Sequence, residues 1–215
     1  MNAKKTFRSL LILCFIASMI ACQSGKAGSG PPSVASSADA VPVDSPKVRT
    51  LIDAAIAQTE VTRYYDPAYV KIPYPGGDVP AERGVCTDVV IRAFRKTGVD
   101  LQKDVHEDMA SNFSAYPNKW GLNKPDTNID HRRVPNLMTF FKRKGKAVAI
   151  TNDAKDYRPG DIVAWDLGGG VLHIGVATNV RADGERLKFV HNIGWGARLE
   201  DILFSWKIIG HYRYY

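Results

Sequence analysis

The sequence predicts an α+β domain in which helices come first and an antiparallel sheet follows. Apolar residues recur at helical spacing in several segments before residue 145, whereas short apolar or alternating runs separated by turns dominate from residue 159 onward. The chain has 215 residues, of which 45% are hydrophobic and 24% are charged. This composition is typical of a globular protein and excludes collagen-like, filamentous and largely disordered chains.

Residues 1–21 are predicted to form a signal peptide. Three basic residues precede an apolar run from residue 10 to residue 20, which is too short to cross a membrane as a helix. The run ends in Met-Ile-Ala before Cys22, which resembles the bacterial lipobox where the leader is removed and the cysteine is acylated. We therefore expect a lipid on Cys22, and the alternative is a plain secretory signal with an incidental cysteine.

Residues 22–46 are predicted to join this lipidated cysteine to the folded part. They consist largely of Gly, Ser, Ala and Pro without hydrophobic periodicity, which is typical of a flexible linker. Gln23 after the cysteine resembles the enterobacterial sorting signal for the outer membrane, so the expected location is that membrane, facing the periplasm. Residues 47–215 have the size of one domain, which we expect to be monomeric.

The charge of the chain argues against nucleic acid as a partner. The full sequence carries a net charge of +7, but loss of three basic residues with the leader leaves 26 basic against 22 acidic residues. The remaining excess of +4 is scattered along the chain, and no nucleic-acid motif accompanies it.

Each predicted element of the domain has its own local signal. Ser45 and Pro46 cap and open a first helix, and the proline-rich segment from Tyr64 to Gly84 is predicted to be an ordered loop. A second helix, capped at Thr87-Asp88, runs to about Thr97 with Cys86 at its start. Two further helices are predicted near residues 104–113 and 135–144, and strands at residues 162–167, 171–178, 187–193 and 206–212.

Cys86 is the candidate nucleophile. Cys14 leaves with the leader and Cys22 takes the lipid, so Cys86 is the only thiol expected in the folded domain and no internal disulfide forms. A helix N-terminus and a neighbouring histidine lower the pKa of a thiol and make it nucleophilic. A cysteine on an apolar helix face is otherwise a small buried hydrophobe, and that alternative stays open.

His173 is the candidate general base. Strand alternation places it on one face with Gly175 and Ala177, small residues that we expect to leave room for the cysteine-bearing helix. A base also needs an orienting partner, and the next strand offers His191 and Asn192 on opposite faces. The apolar residues that share parity with His191 favour it, but a register shift of one residue would favour Asn192.

Several motifs together resemble the papain-like NlpC/CHAP clan of bacterial cell-wall cysteine hydrolases. The motifs are residues 84–90, 159–165, 172–175 and 190–192. Segments 72–77, 105–109, 128–136 and 209–214 are similar to a bacterial domain-of-unknown-function family of lipoproteins within that clan. The resemblance implies a papain-like fold with the nucleophile-bearing helix packed on an antiparallel sheet, and Cys86, His173 and His191 as nucleophile, base and orienting residue.

The resemblance implies cleavage of an amide bond, with peptidoglycan peptides as the expected substrate and partner. Two alternatives remain open: a thiol acyltransferase or deacylase acting on lipid or lipoprotein, and a non-catalytic cell-wall binding module. The backbone N–H of Cys86 is the expected oxyanion donor. This chain departs from the better-known members of the clan in an unusual loop around Tyr74 and a long insert from residue 98 to residue 134. In those members we expect a different substrate wall in these places.

Two arginines are the main candidates for substrate recognition. Arg132 and Arg133 suit the carboxylates of acidic peptide stems. Neither residues 106–108 nor residues 130–133 carry an HExxH motif or a cysteine pair, so we expect no metal and no cofactor. The other expected substrate-binding residues are Tyr74, Asp88, His131 and Asn192.

Overall fold

The computed structural model describes residues 40–215. The predicted signal peptide, Cys22 and most of the predicted linker therefore lie outside the described residues. No helix between residues 40 and 215 is both long enough and apolar enough to cross a membrane. The last residues of the predicted linker contact the sheet, since the backbone N–H of Val41 donates to the carbonyl of Asn179 at 2.8 Å.

Within residues 40–215, four α-helices precede the sheet, as predicted. They are α1 (Pro46–Ala57), α2 (Cys86–Lys96), α3 (Leu101–Ser111) and α4 (Val134–Arg143). The hydroxyl of Ser45 accepts from the backbone N–H of Val48, which confirms the predicted cap of α1. The α2 helix begins at Cys86 with Val85 at its N-cap. Of the predicted cap residues, Asp88 takes part from the third helical position, where its side chain accepts from the backbone N–H of Val85, and the predicted N-cap position is wrong.

Two short strands flank the proline-rich loop that precedes α2. They are β1 (Tyr64–Tyr65) and β2 (Arg83–Gly84), and they pair in parallel. Their pairing brings the start of the predicted loop back beside its end, directly before Cys86.

The main sheet has five antiparallel strands in the order β6-β5-β4-β3-β7. Four of them match predicted strands, whereas β6 was not predicted because it has four residues and follows a Gly-Trp-Gly turn. The bounds are β3 (Ile162–Asp166), β4 (Leu172–Arg181), β5 (Leu187–Asn192), β6 (Ala197–Glu200) and β7 (Lys207–Tyr212). The predicted α+β architecture, with the cysteine-bearing helix packed on an antiparallel sheet, is confirmed.

The two faces of the sheet bury different cores. Ile174 and Val176 of β4 belong to the cluster that contains Cys86 and the apolar stripe of α2. Trp165 and Ala177 belong to a second cluster with residues after β6. Because Trp165 pairs directly with His173, the His173 side chain lies on this second face.

The predicted reason for the small residues beside His173 is therefore wrong. A Cβ atom on Gly175 would lie 3.2 Å from the Cβ of His191 and 3.4 Å from the ring of Trp165. Gly175 thus leaves room for the imidazole of His191 and the indole of Trp165 and not for helix α2.

Candidate active site

Cys86 is held at the first position of α2 by its neighbours in the chain. The carboxylate of Asp88 accepts from the backbone N–H of Val85 at 2.7 Å, which pairs one of the free donors of the helix start. A Cβ atom on Gly84 would lie 2.9 Å from the same carboxylate. The glycine therefore allows the chain to turn tightly into the helix.

The thiol of Cys86 is buried, and the residue exposes 4% of its surface. Burial raises its pKa to about 12, and hydrogen bonding from the backbone N–H of Ile174 acts in the opposite direction. Backbone N–H groups of Thr87 and Cys86 also favour the thiolate, to a smaller extent. The expected lowering of the pKa is thus not found in this state of the protein, where the thiol is protonated at neutral pH.

His173, His191 and Glu200 form a chain of hydrogen bonds across three neighbouring strands. Nε2 of His173 lies 2.9 Å from Nδ1 of His191, and Nε2 of His191 lies 2.9 Å from a carboxylate oxygen of Glu200. Both imidazoles are buried. Burial, reinforced by His191, lowers the pKa of His173 to about 3, and burial lowers the pKa of His191 although Glu200 raises it.

The carboxylate determines the direction of these hydrogen bonds. An ionised carboxylate only accepts, so Nε2 of His191 donates to Glu200 and its Nδ1 carries the lone pair. Nδ1 of His191 then accepts from Nε2–H of His173. Because neutral imidazole carries one proton, Nδ1 of His173 is left with a lone pair and has the protonation state that a general base requires.

Cys86 and His173 are related through adjacent positions of β4, whose side chains point to opposite faces of the sheet. The Cys86 thiol meets the backbone N–H of Ile174, which directly follows His173. Between residues 40 and 215 no hydrogen bond joins Cys86 to His173, whose imidazole instead bonds to His191. In ligand-free enzymes, catalytic hydrogen bonds are often long and tighten when substrate binds.

Cys86 borders an open cleft of about 320 Å³. Leu172 and Gly170 form one wall, and the segment between α3 and α4 forms the other. Tyr65 also lines the cleft, and burial is the main cause that raises the pKa of its hydroxyl. The remaining lining residues are Pro67, Val85, Lys119, Trp120, Ile129, Arg132, Arg133, Val134 and Pro135.

Three expected substrate-binding residues instead hold the cleft together. Arg132 forms a two-point ion pair with Asp88 at 2.9 and 3.0 Å, and it also donates to the carbonyls of Asp66 and Ala68. Asn192 is fully buried and donates its amide to the carbonyls of Gly84 and Tyr64. Because these polar groups are occupied within the protein, the geometry favours positioning roles for Asp88, Arg132 and Asn192, which corrects the expectation of substrate contact.

Arg133 lines the cleft beside Arg132, and its side chain is the more exposed of the two. Its guanidinium lies 3.9 Å from the ring centroid of Trp120 and donates to Asp130 at 3.1 Å. His131 is buried, and its Nδ1 has no hydrogen-bond partner among the described residues. Tyr74 lies elsewhere, with its ring 5.0 Å from that of His106 on α3.

Sequence reasoning missed three residues of this region. Glu200 was missed because strand β6 was not predicted. Once β5 and β6 are paired, the alternation of side chains places Glu200 on the same face of the sheet as His191. Lys119 and Trp120 lie in the long insert, where no periodic pattern distinguishes cleft residues from surface residues. Tyr65, which lies in the segment predicted to be an ordered loop, also lines the cleft.

Comparison with known proteins gives a family, one close relative and several distant structures. A family model described as Domain of unknown function (DUF1287) matches residues 52–214. The chain is 58% identical over 166 residues to the uncharacterized protein YijF of Escherichia coli strain K12, covering 77% of this chain and 80% of that protein.

Similar solved structures include NlpC1 and NlpC2 from Trichomonas vaginalis and a lipoprotein-like NLP/P60 family protein from Staphylococcus aureus Mu50. Their sequence identities are 12%, 15% and 14%, and their TM-scores are 0.43, 0.40 and 0.39. Each match covers 81% of this chain. The chain spans less than half the length of those structures, with 46%, 48% and 43% covered.

Proposed function

We propose that this chain, which belongs to the DUF1287 family, is a cysteine hydrolase that cleaves an amide bond in peptidoglycan peptides. The observation that carries the proposal is the chain from Glu200 through His191 to His173, which leaves an unprotonated Nδ1 on an imidazole next to the strand position that contacts Cys86. The orienting partner of a catalytic histidine fixes its tautomer, and this row of hydrogen bonds defines the tautomers of both His173 and His191.

The proposed reaction begins with transfer of the Cys86 thiol proton to Nδ1 of His173. The thiolate then attacks the amide carbonyl, and the N–H groups of Cys86 and Thr87 at the start of α2 stabilise the oxyanion. His173 returns the proton to the leaving amine, which departs and leaves a thioester on Cys86. Water, deprotonated by His173, attacks the thioester, and the acid product leaves as the thiol is reformed.

The charge of the cleft supports an acidic peptide as substrate. Arg133 and Lys119 both line it and bring two positive charges to a cleft that is also lined by apolar side chains. Trp120 holds the guanidinium of Arg133 against its ring. Carboxylates of a stem peptide match this arrangement, because arginine recognises carboxylates through paired N–H donors.

The proposal is tested with purified sacculi and the mature protein. We expect release of peptide fragments by the wild type and none by Cys86→Ala, with the two proteins equally stable to within about 1–2 kcal/mol because only a small side chain is lost. Mass analysis of the released fragments identifies the bond that is cut. Equal release by both proteins would rule out Cys86 as nucleophile.

A non-catalytic cell-wall binding module is the second candidate. The specific observation in its favour is the buried thiol, whose pKa of about 12 leaves it protonated and weakly nucleophilic. For such a module we expect co-sedimentation with sacculi that Cys86→Ala leaves unchanged, together with no fragment release by either protein. Loss of sacculus binding in Arg133→Ala, but not in the exposed control Arg181→Ala, would locate binding in the cleft.

Anchoring of the protein by a lipid on Cys22 is also a proposal, and it rests on the lipobox-like sequence before that residue. The wild type should fractionate with membranes and incorporate labelled fatty acid. Cys22→Ala should be soluble in the periplasm or remain unprocessed, without label. The same fractionation of both proteins, with no label in either, would contradict lipidation.

A further inference from the structure

Glu200 ends the row of polar groups that begins at His173, although it lies outside the cleft. His191 stands on β5 between β4, which carries His173, and β6, which carries Glu200. The carboxylate keeps contact with solvent, since 45% of the Glu200 side chain is exposed, while the side chain of His191 is 1% exposed. Glu200 is therefore a charged group that reaches from the edge of the sheet to a buried imidazole.

We infer that Glu200 is a positioning residue that fixes the proton of His191 on Nε2 and, through His191, keeps Nδ1 of His173 unprotonated. Only the expected effect of Glu200 on turnover rests on the proposed function. The tautomers themselves follow from the two hydrogen bonds of 2.9 Å and from the inability of a carboxylate to donate.

Among the groups around the two histidines, Glu200 is the one that sets the direction of their hydrogen bonds. Trp165 and Trp206 flank His173 with ring centroids at 5.9 and 6.2 Å, so indole rings line that imidazole. Arg198, the residue directly across from His191 on β6, carries a fixed positive charge and cannot accept a proton from an imidazole. Without the carboxylate, Nε2 of His191 would bond to water, which accepts and donates equally well.

Replacing Glu200 with a hydrogen-bond donor should therefore reverse the direction of both hydrogen bonds. In Glu200→Lys an ammonium faces Nε2 of His191, which must then accept, so Nδ1 of His191 becomes the donor. Nε2 of His173 accepts in turn, and the proton of His173 moves to Nδ1, where it blocks abstraction of the thiol proton. Glu200→Ala removes the acceptor without imposing a donor and should give a mixture of tautomers.

The experiment is ¹⁵N NMR of the histidine ring nitrogens in the mature full-length protein at neutral pH. We expect Nε2–H on both His173 and His191 in the wild type, mixed tautomers in Glu200→Ala and Nδ1–H on both residues in Glu200→Lys. Glu185→Lys is the control, because it makes the same charge change at an exposed glutamate. Glu185 forms an ion pair with Arg181, the last residue of β4. This control should keep the wild-type tautomers.

Turnover of sacculi gives the second readout. Glu200→Lys should lower kcat by about 10²- to 10⁴-fold, the range found when a catalytic histidine is held in the wrong tautomer, with KM little changed. Unchanged ring shifts in Glu200→Lys, or Nδ1–H on His173 of the wild type, would overturn the inference. If the wild type cleaves nothing while the ring shifts behave as expected, the proposed function fails and the assignment of Glu200 stands.

Discussion

Arg132 is the residue on which the cleft wall depends most. Its guanidinium joins helix α2, through Asp88, to the loop carbonyls of Asp66 and Ala68 on the opposite side. The side chains of Arg132 and Asp88 are 2% and 4% exposed, so the ion pair is almost completely shielded from water. Removing one partner of such a pair leaves an unpaired buried charge, which is costly.

Arg132→Met should therefore lower the free energy of unfolding by about 3–5 kcal/mol. Arg83→Met is the matched control, because Arg83 forms an ion pair with Asp66 at 3.2 Å in contact with solvent. Loss of that exposed pair should cost less than about 1 kcal/mol. Chemical denaturation measures both values, and similar losses in the two variants would contradict the structural role of Arg132.

At the scale of elements, β5 supports the start of α2 through Asn192. The amide of Asn192 bonds to the carbonyls of Tyr64 and Gly84, which belong to the paired strands β1 and β2. Its neighbour His191 points to the other face of the sheet and bonds to His173. Adjacent residues of one strand thus serve two tasks, one toward the cysteine and one toward the base.

Asn192→Ala should destabilise the protein by about 1–3 kcal/mol, because the buried hydrogen bond to the carbonyl of Gly84 and the partly buried one to Tyr64 are lost. His191→Ala should instead lower kcat by up to about 10²- to 10⁴-fold, the contribution of a positioned acid–base group, with KM little changed. Denaturation and sacculus turnover, measured on both variants, separate the two roles. A large loss of kcat in Asn192→Ala beside normal turnover in His191→Ala would assign the orienting role to Asn192.

At the scale of the whole molecule, buried neutral histidines make folding sensitive to acid. Burial, reinforced by Arg132, lowers the pKa of His131 to about 4, and burial lowers the pKa of His173 to about 3. The unfolded chain takes up protons on both residues below about pH 6.5, whereas the folded protein does not. The stability contributed by these neutral imidazoles is therefore present above that pH and is lost as the pH falls.

The free energy of unfolding should fall by about 2 kcal/mol between pH 6.5 and pH 5.5 from these two histidines alone, roughly 1 kcal/mol for each. The lowered pKa of His191 adds to this fall. The interval lies above the range in which aspartates titrate in the unfolded chain. Denaturation at several pH values measures the fall, and His131→Met should reduce it by roughly 1 kcal/mol. An equal fall in both proteins would show that His131 is charged in the folded protein.

The sequence was sufficient for the elements with strong local signals. The cap at Ser45, the four helices and four strands of the sheet were predicted because periodicity and turn residues define them locally. Strand β6 has only four residues, so its pairing with β5, and with it the place of Glu200, depends on tertiary structure. The raised pKa of Cys86 could not be predicted either, because the pKa of a thiol depends on the residues that pack against it as well as on its neighbours in the chain.

Only part of the candidate site could be predicted, because the rest of it also depends on tertiary structure. Strand parity correctly set His191 beside His173 and separated it from Asn192. Parity could not show which face α2 covers, so the role expected for Gly175 was wrong. Both arginines line the cleft, and charge alone could not show that Arg132 is buried in an ion pair with Asp88 whereas Arg133 is partly exposed.

The outer strands of the sheet have consequences for the protein in concentrated solution. On β6 the backbone N–H of Ala197 donates to the carbonyl of Thr62, and on β7 the carbonyl of His211 accepts from Val148. Each edge is thus partly covered by a segment of the same chain that occupies donors or acceptors at the border. A foreign strand cannot extend the ladder at those points, which protects the fold against edge-to-edge aggregation and domain swapping through the sheet.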